Sequence, residues 1–161
     1  MSRYVLSVLV DNESGVLARI SGLFSRRGYN IESLTVGPCE LEGLSRMIIV
    51  TKDGVEQIKK QLNKLINVIK ITDLSDLPFV DRELAIIKVS SRQHRAEIIE
   101  IADLFRSRII DVSEESLIVE ITGDTEKINA VIQLLTPYGI KEVARTGSVA
   151  LLRGKKSAAR V

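Results

Sequence analysis

One order of elements is written twice into this chain, and that repetition limits the fold more than any single motif does. In the first half, apolar spacing predicts strand, helix, strand, strand, helix, strand. Residues 3–10 read as a strand, after which Val16, Leu17, Ile20, Leu23 and Phe24 line one face of a helix. Arg19, Ser25 and Arg26 occupy its other face, and Gly28 stands where a left-handed cap stops such a helix. Residues 30–36 and 44–51 read as strands. Asp53-Gly54 leads into a helix aligning Val55, Ile58, Leu62 and Leu65, and residues 68–71 close the half.

The second half repeats the plan. Residues 84–89 form a strand, and a helix over about residues 93–107 aligns Ile98, Ile101, Ala102 and Phe105. Strands follow at 109–112 and 117–121. Asp124 caps a helix carrying Ile128, Val131, Ile132 and Leu135, and residues 140–144 finish. The expected class is α+β: two ferredoxin-like βαββαβ domains in tandem, each with two helices on one face of an antiparallel sheet. The expected boundaries are 1–74 and 84–153, with a polar linker at 75–83 and a flexible basic tail at 154–161. Units of about 75 residues are marginal alone. The opposite sheet face and the first strand, residues 4–10, are rich in Val and Leu, and an exposed apolar strand edge invites a second copy. A homodimer joined side by side through first-half sheets is therefore expected.

The junction between first strand and first helix, Asp11-Asn12-Glu13-Ser14-Gly15, carries the chemistry. A helix start presents backbone N–H groups with no internal partner, and the helix dipole adds partial positive charge. Together they suit a carboxylate or phosphate. Gly15 has no Cβ to block close approach, and the Asn12 side chain both donates and accepts. An α-amino acid carries the two groups such a junction can read.

Catalytic equipment is sparse. The one histidine, His94, reads as a solvated helix-end residue, and Cys39 as a plain free thiol with no second cysteine. No nucleophile elbow, zinc-helix, P-loop or dinucleotide motif is present, and no metal or catalytic residue is expected. With 23 basic and 21 acidic side chains the net charge is only +2, and aromatics are 4%, which argues against a nucleic-acid surface. No apolar run approaches a membrane span, and the amino terminus has no signal-like core, so a cytosolic protein is expected.

The segment DNESGVL resembles the start of an ACT domain, the amino-acid-binding regulatory module. Its continuation, SGLFSRRGYNIESLTVG, with Ser45-Arg46-Met47 after it, resembles the regulatory small subunits of acetolactate synthase (acetohydroxyacid synthase). Ile109-Ile110-Asp111-Val112 and the stretch from Lys141 to Gly147 extend that likeness through the second half. The resemblance implies no activity of the chain's own. It implies a large catalytic partner subunit using thiamine diphosphate, magnesium and FAD, activated by this chain and feedback-inhibited through it by valine, or by leucine or isoleucine. It also implies an effector site. Backbone N–H groups of Gly15, Val16 and Leu17 would meet the carboxylate, and Asn12 the polar head. Asn30 and Ile31 would come from a neighbouring protomer, with Leu17 and Val36 against the branched side chain. A free-standing amino-acid-responsive regulator of transcription or RNA is the alternative.

Overall fold

A computed structural model describes residues 2–158, and the chain divides into two compact units. The first comprises residues 1–80 and 149–161, the second residues 81–148. Both have the expected α+β architecture.

In the first unit β1 (Tyr4–Asp11), α1 (Val16–Arg27), β2 (Ile31–Pro38), β3 (Leu44–Thr51), α2 (Val55–Leu62) and β4 (Val68–Asp73) follow in order. The sheet runs β2-β3-β1-β4 and is antiparallel throughout. Leu6, Val8 and Val10 of β1, with Met47 and Ile49 of β3, pack beneath Val16, Ile20, Leu23 and Phe24 of α1 and Ile58 and Leu62 of α2. Helix α1 stops where expected. Gly28 adopts φ 70°, its N–H donates to the Ser25 carbonyl, and the next N–H, of Tyr29, donates to Phe24. That pair of bonds satisfies the last carbonyls of the helix.

Two expectations change here. Strand β1 is not an edge: it lies between β3 and β4, buried from Val5 to Val10 on both faces. A strand buried on both faces, here with Ser7 as its one polar residue between Val5 and Val10, is a central strand, so the free edges of this sheet are β2 and β4. The chain's last part also departs from the expected boundaries. Residues 149–158 belong with the first unit, where Val149–Leu152 forms β9. Ala150 is buried with Val5, Ile48, Val50 and Leu74 on the face of the sheet away from the helices, flanked by Phe79 and Leu152. That face carries too much apolar surface to stay wet. Residues 154–157 of the expected flexible tail are exposed, and Ala158 is held at this face: Arg46 of β3 donates to the Ala158 carbonyl at 3.3 Å and to Ser7 Oγ at 3.2 Å. Residues 159–161 of that tail lie outside the described residues.

Strand β5 (Phe79–Ser90) starts inside the expected linker and supplies the first strand of the second unit. Then come α3 (Arg95–Leu104), β6 (Arg108–Val112), β7 (Ser116–Gly123), α4 (Thr125–Leu135), a 3₁₀ turn and β8 (Ile140–Arg145). The order β6-β7-β5-β8 repeats the first sheet. Ala85, Ile87, Val89, Leu117, Val119 and Ile121 face α3 and α4 across the core. No helix among the described residues is long and apolar enough to cross a membrane.

Candidate functional site

The β1–α1 junction is an open, pinned loop. Asn12, Glu13, Ser14 and Gly15 are exposed. Gly15 caps the helix at φ 85°, a left-handed conformation that disfavours any side chain, and nothing lies within 4 Å of where its Cβ would be. The N–H of Val16 is turned to the Glu13 carbonyl at 3.4 Å, whereas those of Leu17 and Ala18 meet no acceptor among the described residues. The Gly15 N–H likewise meets no acceptor among the described residues, so of the three expected donors Val16 is the one already engaged. Val16 itself is buried in the core, and Leu17, counted on the core face from its spacing, is 47% exposed at the mouth.

Strand register sorts the expected site residues into two groups. Val36 pairs with Met47, and Met47 with Val8, so Val36 points to the helix side near the end of β2, 42% exposed. Asp11 pairs with Leu44 at that same end of the sheet, which places Asn12, Gly15, Val16 and Leu17 there too. Ile31 pairs with Thr51, which pairs with Tyr4 at the opposite end, and the Asn30 carbonyl accepts from Thr51 Oγ1. Along the strand direction the two groups are about 20 Å apart within one chain. One chain does not bring Asn30 and Ile31 to the junction.

Three anchors hold the junction. The Asn12 N–H donates to Gly43 O and the Asp11 N–H to Asn67 O, each at 2.9 Å. The buried Asn67 side chain accepts from Arg19 Nη1 at 2.5 Å and donates to Asp11 Oδ2 at 3.2 Å. Sequence reading missed Arg19 and Asn67. Arg19 looks like any solvated helix residue, and Asn67 is a lone polar residue in a short connection.

The corresponding junction of the second unit is filled by its own side chains. Arg95 donates to the carbonyls of Ser113 and Glu114, Arg92 pairs with Glu115, and His94 lies against Tyr138 with its Nδ1 3.4 Å from Glu97 Oε1. Cys39 is a free thiol near the Leu44 carbonyl. Among the described residues no group of three or more His, Cys, Asp or Glu is arranged to hold a metal ion.

With this geometry in place, a family model for the AHAS small subunit-like ACT domain matches residues 6–70, and one for the small subunit of acetolactate synthase matches residues 82–154. The chain belongs to the acetolactate synthase small-subunit family. The Bacillus subtilis acetolactate synthase small subunit is 50% identical over 96% of this chain and 93% of its own. That of Mycolicibacterium smegmatis is 52% identical over 95% and 92%. Among solved structures, the acetolactate synthase small subunit from Thermotoga maritima superposes with a TM-score of 0.89 at 44% identity, covering 97% of this chain and all of that one. The first unit is thus an ACT domain of this family, and both units share the family fold.

Proposed function

We propose that this chain is the non-catalytic regulatory subunit of a cytosolic acetolactate synthase, raising the activity of the catalytic subunit and conferring feedback inhibition by a branched-chain amino acid, valine first. In this reading thiamine diphosphate, magnesium and FAD are held by the catalytic subunit, and this chain contributes binding and coupling. The observation that carries the reading is the exposed first turn of α1, with the Leu17 and Ala18 N–H groups open beside Gly15 and Asn12. Those donors suit the ligand's carboxylate, Asn12 its polar head, and Leu17 and Val36 a branched side chain.

Two copies joined antiparallel through their free β2 edges, about a twofold axis, carry Asn30 and Ile31 of each to the junction of the other. A site split between protomers makes ligand binding sensitive to dimer geometry. Coupling of about 1–3 kcal/mol, or roughly 5- to 150-fold, then suffices for feedback control. The test is calorimetric titration of the purified chain with valine, leucine and isoleucine, with serine and phenylalanine as controls, repeated on the complex with the catalytic subunit. Saturable binding of a branched ligand at one site per chain supports the reading. No binding in either preparation sinks it.

A further inference from the structure

Both units tie this junction down with corresponding backbone hydrogen bonds, although Gly15 caps α1 at φ 85° and His94 caps α3 at φ −130°. Asp11 N–H to Asn67 O (2.9 Å) matches Ser90 N–H to Gly139 O (2.8 Å). Asn12 N–H to Gly43 O (2.9 Å) matches Ser91 N–H to Glu115 O (2.9 Å), and Arg19 N–H to Gly15 O (3.0 Å) matches Ile98 N–H to His94 O (3.1 Å). Even the β-bulge recurs, at Leu9/Val10 against β4 and at Lys88/Val89 against β8. The side chains differ. Where the first unit has Asn67, the second has Gly139, which has no side chain, and its junction is tied instead by Arg95 to the Ser113 and Glu114 carbonyls.

The Asn67–Arg19 relay thus has no counterpart at the Gly139 position of the second unit. It buries a polar side chain at 8% exposure with both its amide oxygen and its amide nitrogen hydrogen-bonded, and it holds a cation near a helix N-terminus, where the dipole disfavours one. Asn67 reaches three elements: its amide touches Asp11 at the end of β1 and Arg19 in α1, and it stands just before β4. A loop held to the helix at one end and to both strands beneath is one whose open N–H groups keep a fixed aim.

We propose that Asn67 and Arg19 are positioning residues of the effector site. They hold the Asn12–Gly15 loop against the first turn of α1, so that the Leu17 and Ala18 donors and the Asn12 amide are aimed before the amino acid arrives. The proposal rests on the effector reading above.

The test uses the full-length chain and the variants Asn67→Ala, Arg19→Ala and Arg19→Lys. It measures branched-chain amino-acid affinity, thermal unfolding, and amide exchange of residues 12–18 without ligand. Asn67→Ala and Arg19→Ala are expected to weaken binding about tenfold, the scale of one charge-assisted hydrogen bond, and the double variant by little more than either alone. Exchange at residues 12–18 should rise in both while the unfolding midpoint stays close to wild type. Arg19→Lys, which can still donate to Asn67 Oδ1, should recover most of the affinity. Wild-type affinity in both alanine variants overturns the proposal, as does weakening that tracks a general loss of stability. If wild type binds no branched-chain amino acid, the effector reading falls, and unchanged exchange at residues 12–18 then removes the positioning role as well.

Discussion

Arg145 grips the Glu83 carboxylate with one edge of its guanidinium, Nε to Oε1 at 2.5 Å and Nη2 to Oε2 at 3.0 Å. Glu83 is 5% exposed at the start of the second unit's central strand, and Arg145 Nη1 reaches Asn129 Oδ1 of α4 at 2.9 Å. The pair ties β5, β8 and α4 together. Arg145→Ala leaves a buried carboxylate without its cation, so we expect a loss of about 2–4 kcal/mol in the second unit. Denaturant unfolding followed by site-resolved hydrogen exchange checks this. Glu83→Gln/Arg145→Met should recover part of the loss, because removing both charges leaves none unpaired.

Gly15 separates strain from blockage. Gly15→Ala meets no neighbouring atom but must adopt the left-handed conformation, at about 1–2 kcal/mol, and the chain should still fold. Gly15→Asp adds an anion at the helix start, where the proposed ligand places its own. In the reconstituted complex we expect Gly15→Asp to abolish inhibition by valine while activation of the catalytic subunit persists. Loss of both with the fold intact would mean that effector site and docking surface are not separate.

Asp73 and Lys59 give the first unit opposite pH limits. Burial pushes the Asp73 carboxyl up, but the Ser75 hydroxyl and N–H and the Lys59 ammonium outweigh it, so its pKa lies below the ordinary 3.8. Its contribution is present above that value and is lost as pH falls through the folded-state value. The Lys59 pKa is raised above 10.5, through its hydrogen bond to Glu56, against burial, and with help from Asp73. Its contribution is complete below 10.5 and is lost as pH rises through the higher folded-state value. Melting temperature against pH should fall at both ends, and Asp73→Asn should flatten the acid limb. An unchanged acid limb in that variant would assign it to other carboxylates.

Ala150 tests the returning C-terminal strand. At 4% exposure it sits against Val5, Ile48, Val50 and Leu74, so Ala150→Glu buries a charge without a partner. We expect a loss of about 2 kcal/mol or more, confined to the first unit. Deleting residues 149–161 should leave both α/β layers formed but raise binding of a hydrophobic dye, by uncovering that sheet face. Dye binding no higher than wild type would show that something else covers it.

Much of this protein is local, and so was legible from its sequence. The period of Val16, Ile20, Leu23 and Phe24, the stop at Gly28 and the cap at Asp124 act within a few residues, so element order and the ferredoxin-like repeat follow from them. The strand–glycine–helix junction is equally local, which is why Asn12 and Gly15 could be singled out. Strand partnership is not local. That β1 is central, that residues 149–152 return to the first unit and that Phe79 begins a strand depend on pairings across tens of residues. The same holds for the site's support. Arg19 and Asn67 are 48 residues apart and meet only because β4 docks beside β1. The sequence by itself determined which elements form and where the exposed, glycine-capped start of α1 lies, since those depend on backbone chemistry and short-range spacing. Only the tertiary structure decided which edges stay free, which face is covered and what holds the junction still, because each depends on packing between distant segments.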